Sequence, residues 1–163
     1  MAMTTDPATL QSLASQLAVD RPVAQLLWQA AVAIGPRQPL GASPLGERFI
    51  VPILGGTVWG GPGQDGLHGQ VLPGGADRQL LRPDGIKELD ALYELQLHDG
   101  TVLTVRNRVT VDERRQPRYA RSVVQVTAPT GPWDWLNRRC LVGSLQSLRP
   151  QAEAVLVNVF LLD

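Results

Sequence analysis

The sequence predicts a mainly β protein, a closed antiparallel β-barrel with a short N-terminal helix. From Gly35 onward, short apolar or alternating runs are separated by turn residues, and helical periodicity does not return. Seven or eight such strands with short connections are typical of a barrel or a sandwich, and closure removes the unpaired edges of a sheet. The 163 residues suffice for one domain with its own core. We divide them into a helical extension, residues 1–24, and a barrel, residues 25–163.

The extension carries the signals of a helix over residues 6–18. Asp6 can cap its first turn and Pro7 suits its first position. An apolar stripe follows at helical spacing, formed by Leu10, Leu13, Ala14 and Leu17. The stripe must cover either the open end of the barrel or a second subunit, so a homodimer is a reasonable expectation. Residues 26–34 fit either a second helix or the first strand, and the sequence leaves both open.

The remaining strands are read from runs bounded by turn residues. The predicted segments are residues 48–54, 67–72, 87–97, 101–111, 118–128, 135–145 and 154–162. Pro52 places the first of them at a sheet edge or a bulge, because proline lacks the N–H that a central strand donates. The letters "HDG" before residue 101 indicate a hairpin in which Gly100 takes a positive φ.

The glycine-rich stretch between Gly55 and Gly85 admits three interpretations. A phosphate-binding loop would lead from a strand into a helix, but "GGTVWGGPG" leads into another strand-like run. Disorder conflicts with the regular placement of Trp59, Leu67 and Val71. The glycines are therefore predicted to serve bulges and tight turns of a small barrel.

Composition excludes several classes of function. Fifteen basic and fifteen acidic residues cancel, so no broad field attracts nucleic acid or an anionic membrane. The single cysteine, Cys140, excludes an internal disulfide and fits a reducing compartment. The start lacks a secretory signal pattern, and no apolar run approaches the roughly 18 to 20 residues that span a bilayer. We expect a soluble, cytoplasmic protein with neither nucleic-acid nor membrane partners.

The motifs "VLPGGAD" and "RPDG", followed much later by "WLN" and "VG", occur in an order and spacing that is specific as a set. In these motifs, over roughly residues 25 to 163, the chain resembles the DUF3237 proteins, also called the UPF0311 family. The resemblance implies an allene-oxide-cyclase-like or lipocalin-like barrel whose interior could hold a small organic molecule. It implies little chemistry, since a barrel hosts many functions.

The chain departs from the family pattern in three places. Arg78 stands where a tryptophan is usual, "GPGQD" widens the loop before Gly66, and the region after Asn107 is shortened and rewritten. The changes lie in loops and beside Asp77. We therefore hypothesise a member adapted to a particular ligand.

Strand alternation selects the first candidate site residues. On residues 87–97 the apolar face includes Tyr93, which places a phenol in the barrel interior. Its hydroxyl either bonds a structural partner or donates a proton to a ligand. The same rule turns Asn107 inward, at the inner end of the next strand.

Asp77 ends the "PGGAD" turn and has two interpretations. It either closes the turn through backbone hydrogen bonds or acts as a general base at the barrel mouth. Arg78 and Arg82 could hold its carboxylate ionised. His68 could reach the same mouth, and Asp84 of "RPDG" is expected to be a turn residue.

The remaining ligand-binding candidates are less constrained. Trp135 and Asn137 lie in the "WLN" motif, where an amide beside an aromatic suits ligand recognition but could equally satisfy backbone groups. Trp59 is more consistent with packing at a barrel end than with a cofactor site, and we keep it among the ligand-binding candidates. Arg121 would need a carboxylate or an anionic ligand if it faced inward, and the facing of its strand stays open.

These residues favour chemistry without a cofactor. The sequence lacks a serine-nucleophile motif, a dinucleotide fingerprint and metal-ligand spacing between its two histidines. We predict a cofactor-independent acid–base enzyme of isomerase, cyclase or lyase type that acts on a small apolar organic molecule, with Asp77 and Tyr93 as catalytic residues. The alternatives are a non-catalytic carrier of small molecules, and a structural or partner-binding module whose interior is filled by side chains.

Overall fold

The structure, a computed structural model, describes residues 6–163 as one helix, ten strands and one 3₁₀ turn. Helix α1 spans Pro7–Ser15, and the 3₁₀ turn spans Asp134–Arg138. The first five strands are β1 (Ala24–Ile34), β2 (Gln38–Ser43), β3 (Gly46–Gly60), β4 (Gly69–Val71) and β5 (Ala76–Leu81). The last five are β6 (Lys87–Leu97), β7 (Val102–Asp112), β8 (Tyr119–Thr127), β9 (Cys140–Ser147) and β10 (Ala154–Leu162).

The strands form a closed antiparallel barrel, as predicted. Neighbouring strands run in the order β1, β10, β9, β8, β7, β6, β4, β3, and β1 pairs again with β3 to close the ring. Strands β4 and β5 both lie between β3 and β6, so together they fill one of the eight positions. Strand β2 forms a hairpin with the first part of β3.

Alternating burial along the strands shows which side chains face the interior. On β8 the buried residues are Ala120, Ser122, Val124 and Val126. The sequence left open which face of this strand points into the barrel, and the burial shows that Arg121 points outward. On β7 the buried residues are Leu103, Val105, Asn107, Val109 and Val111. The inward positions of Asn107 and of Tyr93, which is 2% exposed, are therefore confirmed.

One end of the barrel is plugged by apolar side chains, the largest being Trp28, Leu67, Leu97, Leu103 and Leu136, each at most 2% exposed. The 3₁₀ turn lies over this end. Trp133, just before the turn, donates a 2.9 Å hydrogen bond from Nε1 to Asp99 in the β6–β7 connection. The plug leaves the opposite end as the entrance to the interior.

Strand β3 contains a β-bulge in its pairing with β1, at the glycines for which bulges were predicted. The register between β1 and β3 shifts between Ile34–Ile53 and Ala33–Gly55. One pair beyond the shift, Gly56 has φ of +149°, and a Cβ there would lie 2.1 Å from the carbonyl oxygen of Ala31. Pro52 lies where β3 passes from pairing with β2 to pairing with β1, so its missing N–H is tolerated.

The elements differ from the predictions at three points, and a fourth segment that the sequence left open is decided. Residues 24–34 are a strand, because their small and β-branched residues pair with both β3 and β10. Strands β2 and β5 were not predicted, since "QPLGAS" reads as turn and β5 follows a glycine pair. Residues 134–138 form the 3₁₀ turn rather than the start of a strand.

The helix is also shorter than predicted, and all its residues are exposed. Leu10 and Leu13 are each 54% exposed and Leu17 is 76% exposed, so among the described residues the leucine stripe covers neither the barrel nor anything else. The expectation of a homodimer stays a prediction. No helix within residues 6–163 is long and apolar enough to cross a membrane.

Candidate functional site

A cavity of about 840 Å³ opens at the barrel end opposite the plug. Its entrance lies among the β1–β2, β5–β6, β7–β8 and β9–β10 connections. The inner wall is mainly aliphatic and includes Val32, Ile34, Val51, Ile53, Leu89, Val109, Leu145, Val155 and Val157. This volume suits a small organic molecule.

The lining also contains polar side chains, among them Asp77, Gln79, Tyr93, Asn107, Gln146 and Ser147. Three of these, Asp77, Tyr93 and Asn107, lie on neighbouring strands. The strand register brings them together. Asp77 on β5 is paired with Ala91 on β6, and Ala91 is paired with Asn107 on β7. Adjacent strands are about 4.8 Å apart, so the carboxylate and the amide flank the small methyl group of Ala91. Tyr93 follows two residues along β6 on the same face.

The "PGGAD" motif has a structural reason at its second glycine. A Cβ on Gly75 would lie 2.6 Å from the Cβ of Tyr93 and 2.6 Å from the carbonyl oxygen of Leu92. Because Gly75 has no side chain, its backbone lies directly against Tyr93. Its carbonyl also accepts a 2.9 Å hydrogen bond from Ile53 N. The motif therefore fixes the position of Tyr93 and starts the strand that carries Asp77.

Each of the three polar residues has an atom without a hydrogen-bond partner. Asp77 Oδ1, the Tyr93 hydroxyl and Asn107 Oδ1 are buried and make no hydrogen bond within the described part of the chain. Asp77 Oδ2 accepts a 2.8 Å hydrogen bond from Gln79 Nε2, which orients the carboxylate and leaves Oδ1 free. Buried polar atoms are nearly always paired, and three unpaired ones facing one cavity make it the candidate site. Two further unpaired buried atoms, Trp28 Nε1 and Ser122 Oγ, belong to residues outside the cavity lining.

Burial sets the protonation behaviour of Asp77. Desolvation is the largest influence and raises the pKa of this carboxyl from 3.8 to about 6, while the hydrogen bond from Gln79 opposes the rise. The prediction that Arg78 and Arg82 hold Asp77 ionised is wrong. Arg78 alternates to the outer face opposite Asp90, and Arg82 binds Glu88 at 3.0 Å and also Asp84.

The pKa of Tyr93 moves in the direction that keeps its proton. Desolvation raises the pKa of the phenol far above its ordinary value, and the nearby charge of Asp77 adds to the rise. Tyr93 is therefore a neutral hydrogen-bond donor at physiological pH. The site pairs a carboxylate that titrates near neutrality with a phenol that does not titrate there, which separates an acid role from a base role.

Two predicted ligand-binding residues lie at the plugged end, away from the cavity. The Asn137 side chain bonds backbone: Oδ1 accepts from Ala128 N at 2.9 Å, and Nδ2 donates to Ala128 O at 3.0 Å and to Asp134 O at 2.9 Å. Trp135 is half-buried and packs against the core cluster. The structural interpretation of the "WLN" motif applies, because both residues lie in the 3₁₀ turn.

Replacing Asn137 by alanine should therefore destabilise the fold without changing ligand binding. Three hydrogen bonds to backbone would be lost, and the expected cost is about 1 to 3 kcal/mol in the free energy of unfolding. Urea titrations of the wild type and the variant measure this cost. If the variant kept wild-type stability but lost affinity for a cavity ligand, the structural assignment would be wrong.

The other predicted residues also lie outside the cavity. Arg121 is exposed on the outer face of β8, and Trp59 is 39% exposed on the outside of β3, where its Nε1 donates to Gln29 at 3.1 Å. His68 lies at the plugged end rather than at the mouth, stacked on His98 with ring centroids 4.0 Å apart. Arg82 belongs to the β5–β6 turn. We leave all four out of the proposed site.

Sequence reasoning missed the charged residues of the entrance, which are Arg37, Lys87, Glu113, Arg118 and Arg149, and the carboxylate partner Gln79. Each charged residue lies in a connection or at a strand end, where alternation gives no facing. Only the common end of the barrel unites them, and that follows from strand order rather than from any local motif. Among residues 6–163, no three histidine, cysteine, aspartate or glutamate side chains converge as metal ligands would.

Solved structures share this barrel. A crystal structure of a conserved protein of unknown function from Rhodopseudomonas palustris has a TM-score of 0.79 and 29% identity, covering 89% of this chain and all of that chain. A beta-barrel like protein from Acinetobacter baumannii has a TM-score of 0.77 and 25% identity, covering 90% of this chain and 99% of that one. An enzyme from Penicillium herquei has a TM-score of 0.70 at 19% identity, covering 90% and 98%, and this likeness shows the fold alone.

Comparisons of sequence identify the family of this chain. A UPF0311 protein of Rhodopseudomonas palustris is 46% identical over 74 residues, which are 45% of this chain and 46% of that protein. The chain thus matches less than half the length of this curated relative. A family model described as "Protein of unknown function (DUF3237)" matches residues 22–162, nearly the whole barrel. The motifs quoted from the sequence therefore led to the right family, and the chain belongs to DUF3237.

Proposed function

We propose that the protein is a cofactor-independent acid–base enzyme, of isomerase, cyclase or lyase type, acting on a small organic molecule inside the barrel. The observation that carries the proposal is the set of three buried polar atoms without partners, on Asp77, Tyr93 and Asn107, around one cavity. A barrel that served only as a scaffold would gain stability by filling this space or pairing these atoms. The cavity thus argues against the structural module with a filled interior.

Asp77 is the proposed general base. A base works best when its pKa lies close to the operating pH, and burial raises the pKa of Asp77 to about 6. At neutral pH the carboxylate is mostly ionised, and Oδ1 is free to take a proton from the substrate. Gln79 holds the other oxygen and so fixes the direction in which Oδ1 points.

Tyr93 is the proposed acid or hydrogen-bond donor. When Asp77 removes a proton, negative charge develops on the substrate, and a neutral phenol in an apolar wall can stabilise it. The proton held by Asp77 then returns to a different atom of the substrate, which completes an isomerisation, or passes to a leaving group in an elimination. Asn107 supplies a further amide that orients the substrate.

The fold is compatible with catalysis, since the structurally similar chain from Penicillium herquei is described as an enzyme. That likeness transfers no reaction to this chain. A non-catalytic carrier would use the same cavity, and it would differ in one measurable respect: it would bind its ligand without moving protons. An experiment must therefore detect proton transfer directly.

Deuterium exchange into a probe ketone detects proton transfer by the protein without knowledge of the natural substrate. The ketones 2-tetralone and 2-indanone, incubated in D₂O with the wild type, should lose their α-proton NMR signals faster than in buffer. A matched control is Asp65→Asn, which removes an exposed carboxylate at the plugged end. If the wild type accelerated exchange no more than unfolded protein did, the result would count against the acid–base chemistry and leave the non-catalytic alternatives.

A further inference from the structure

The entrance of the cavity carries positive charge that the proposed acid–base chemistry does not use. Four cationic side chains line it, and we refer to them as the mouth cations: Arg37, Lys87, Arg118 and Arg149. They come from four separate places in the chain, namely the β1–β2 connection, the start of β6, the residue before β8 and the β9–β10 connection. The chain as a whole is formally neutral, so the charge is a local feature.

Carboxylates balance only part of this charge. Glu113 Oε1 lies 3.3 Å from Lys87 Nζ and 3.8 Å from Arg118 Nε, so two cations share one carboxylate. Arg149 has its own partner, Glu153, at 2.7 Å. Arg37 forms no ion pair with a residue of the described part of the chain; its guanidinium stacks over the Phe49 ring, 4.1 Å from the centroid. Within residues 6–163, four positive charges at the mouth are thus balanced by only two carboxylates.

The carboxylate inside the cavity does not supply the missing balance. Asp77 Oδ2 accepts the hydrogen bond from Gln79 and Oδ1 has no partner within residues 6–163, so Asp77 forms no ion pair with a mouth cation there. Aliphatic side chains such as Leu89 and Val109 lie in the wall together with both groups. The cavity therefore combines a cationic rim, an aliphatic wall and a polar floor.

We propose that the natural substrate is an amphipathic organic acid, whose carboxylate is held at the mouth by Arg37 and Arg118 while its apolar body reaches Asp77 and Tyr93. The proposal rests on the proposed function for its statement that the ligand is a substrate. A guanidinium binds a planar carboxylate through two parallel hydrogen bonds, which suits the two arginines. Anchoring one end of the molecule also fixes which of its atoms meets the base.

Calorimetry with matched aromatic probes tests the proposal. The probes are 1-naphthylacetate and 1-naphthylacetamide, which share the ring system and differ in charge, with 1-naphthyl phosphate as a second anion. We expect the acetate to bind the wild type about tenfold more tightly than the amide, because charge-assisted hydrogen bonds are the stronger kind. Equal binding of acetate and amide, absence of binding by both, or tighter binding of the phosphate would overturn the proposal.

Substitutions of the mouth arginines then test whether these residues cause the preference for the acetate over the amide. Arg37→Gln combined with Arg118→Gln should reduce the ratio of acetate to amide affinity to about one, with the affinity for the amide unchanged. The matched control is Arg138→Gln combined with Arg139→Gln, which removes two exposed arginines at the plugged end and should keep the ratio of the wild type. If the control lowered the ratio as much as the double variant of the mouth, net charge rather than the mouth would explain the preference.

The outcomes separate this inference from the proposed function. An acetate preference that depends on Arg37 and Arg118, without deuterium exchange of any ketone, would leave an anion-binding carrier and refute only the acid–base chemistry. Exchange of ketones without an acetate preference would refute only the organic-acid substrate.

Discussion

Replacing Asp77 by asparagine is expected to lower the rate of ketone deuterium exchange by roughly 10² to 10⁴-fold, the usual contribution of a positioned general base. Asparagine has nearly the same shape and still offers Gln79 an oxygen, so the cavity should keep its form. It cannot accept a proton at neutral pH. The exchange rate, followed by proton NMR, should fall to near the buffer rate, while the Asp65→Asn control should keep the rate of the wild type.

The pH dependence of the wild type provides a second test of the same residue. A base must be ionised to act, and burial raises the pKa of Asp77 to about 6. The exchange rate at low ketone concentration should therefore rise with pH through about 6 and then level off. A rise centred near pH 4 would mean that Asp77 is solvated or is not the base, and would contradict the assignment.

The same substitution should change stability in a pH-dependent way. Because the folded state holds the Asp77 proton up to about pH 6 and the unfolded state releases it near 3.8, this group lowers the free energy of unfolding as pH rises through that window. The difference between the two values corresponds to at most roughly 3 kcal/mol. Asp77→Asn should thus be more stable than the wild type at pH 8 and similar to it at pH 3.5. Urea titrations at the two pH values check this expectation.

The Tyr93→Phe variant should have the second largest effect, about 10²-fold or more on the exchange rate. The hydroxyl is the only group lost, and within the described residues it bonds to nothing. Its removal should leave stability unchanged or raise it by up to roughly 1 kcal/mol, because an unpaired buried hydroxyl is costly. A variant that is inactive yet at least as stable would mark the hydroxyl as functional rather than structural.

The control for this variant is Tyr119→Phe, which removes a phenol hydroxyl from the outer face of β8, in a separate groove. It should leave the exchange rate unchanged. If Tyr93→Phe kept full exchange activity, the phenol would be part of the cavity wall and nothing more. If it lowered stability by several kcal/mol, the hydroxyl would have a structural partner.

The sequence predicted the facing of Tyr93 and Asn107 for a physical reason. Both lie on strands whose inward positions are otherwise aliphatic, so alternation assigns their side without knowledge of the neighbouring strands. For Asp77 the sequence supplied the candidate but not its environment. The strand that carries it follows Gly74 and Gly75 and was not predicted, so the burial that dominates its pKa could not be inferred.

The site residues that the sequence placed wrongly or left open also have physical explanations. Asn137 lies in a 3₁₀ turn where the sequence read a strand, and its amide is used by the backbone of Ala128. On β8 both alternate sets contain polar residues, so only pairing could decide the facing of Arg121, which lies opposite Thr110 on one side and Ser144 on the other. Pairing between distant strands is a property of the closed barrel and is not readable from one strand.

The plug formed by Trp28, Leu67 and Leu136 has a kinetic consequence. One end of the barrel is filled within residues 6–163. In the proposed enzyme, substrate would therefore enter and product leave through the same open end, and a product still in the cavity would exclude the next substrate. Product inhibition should then be competitive with substrate. The rate of departure through the open end would set the turnover of any product that binds tightly, however fast the proton moves.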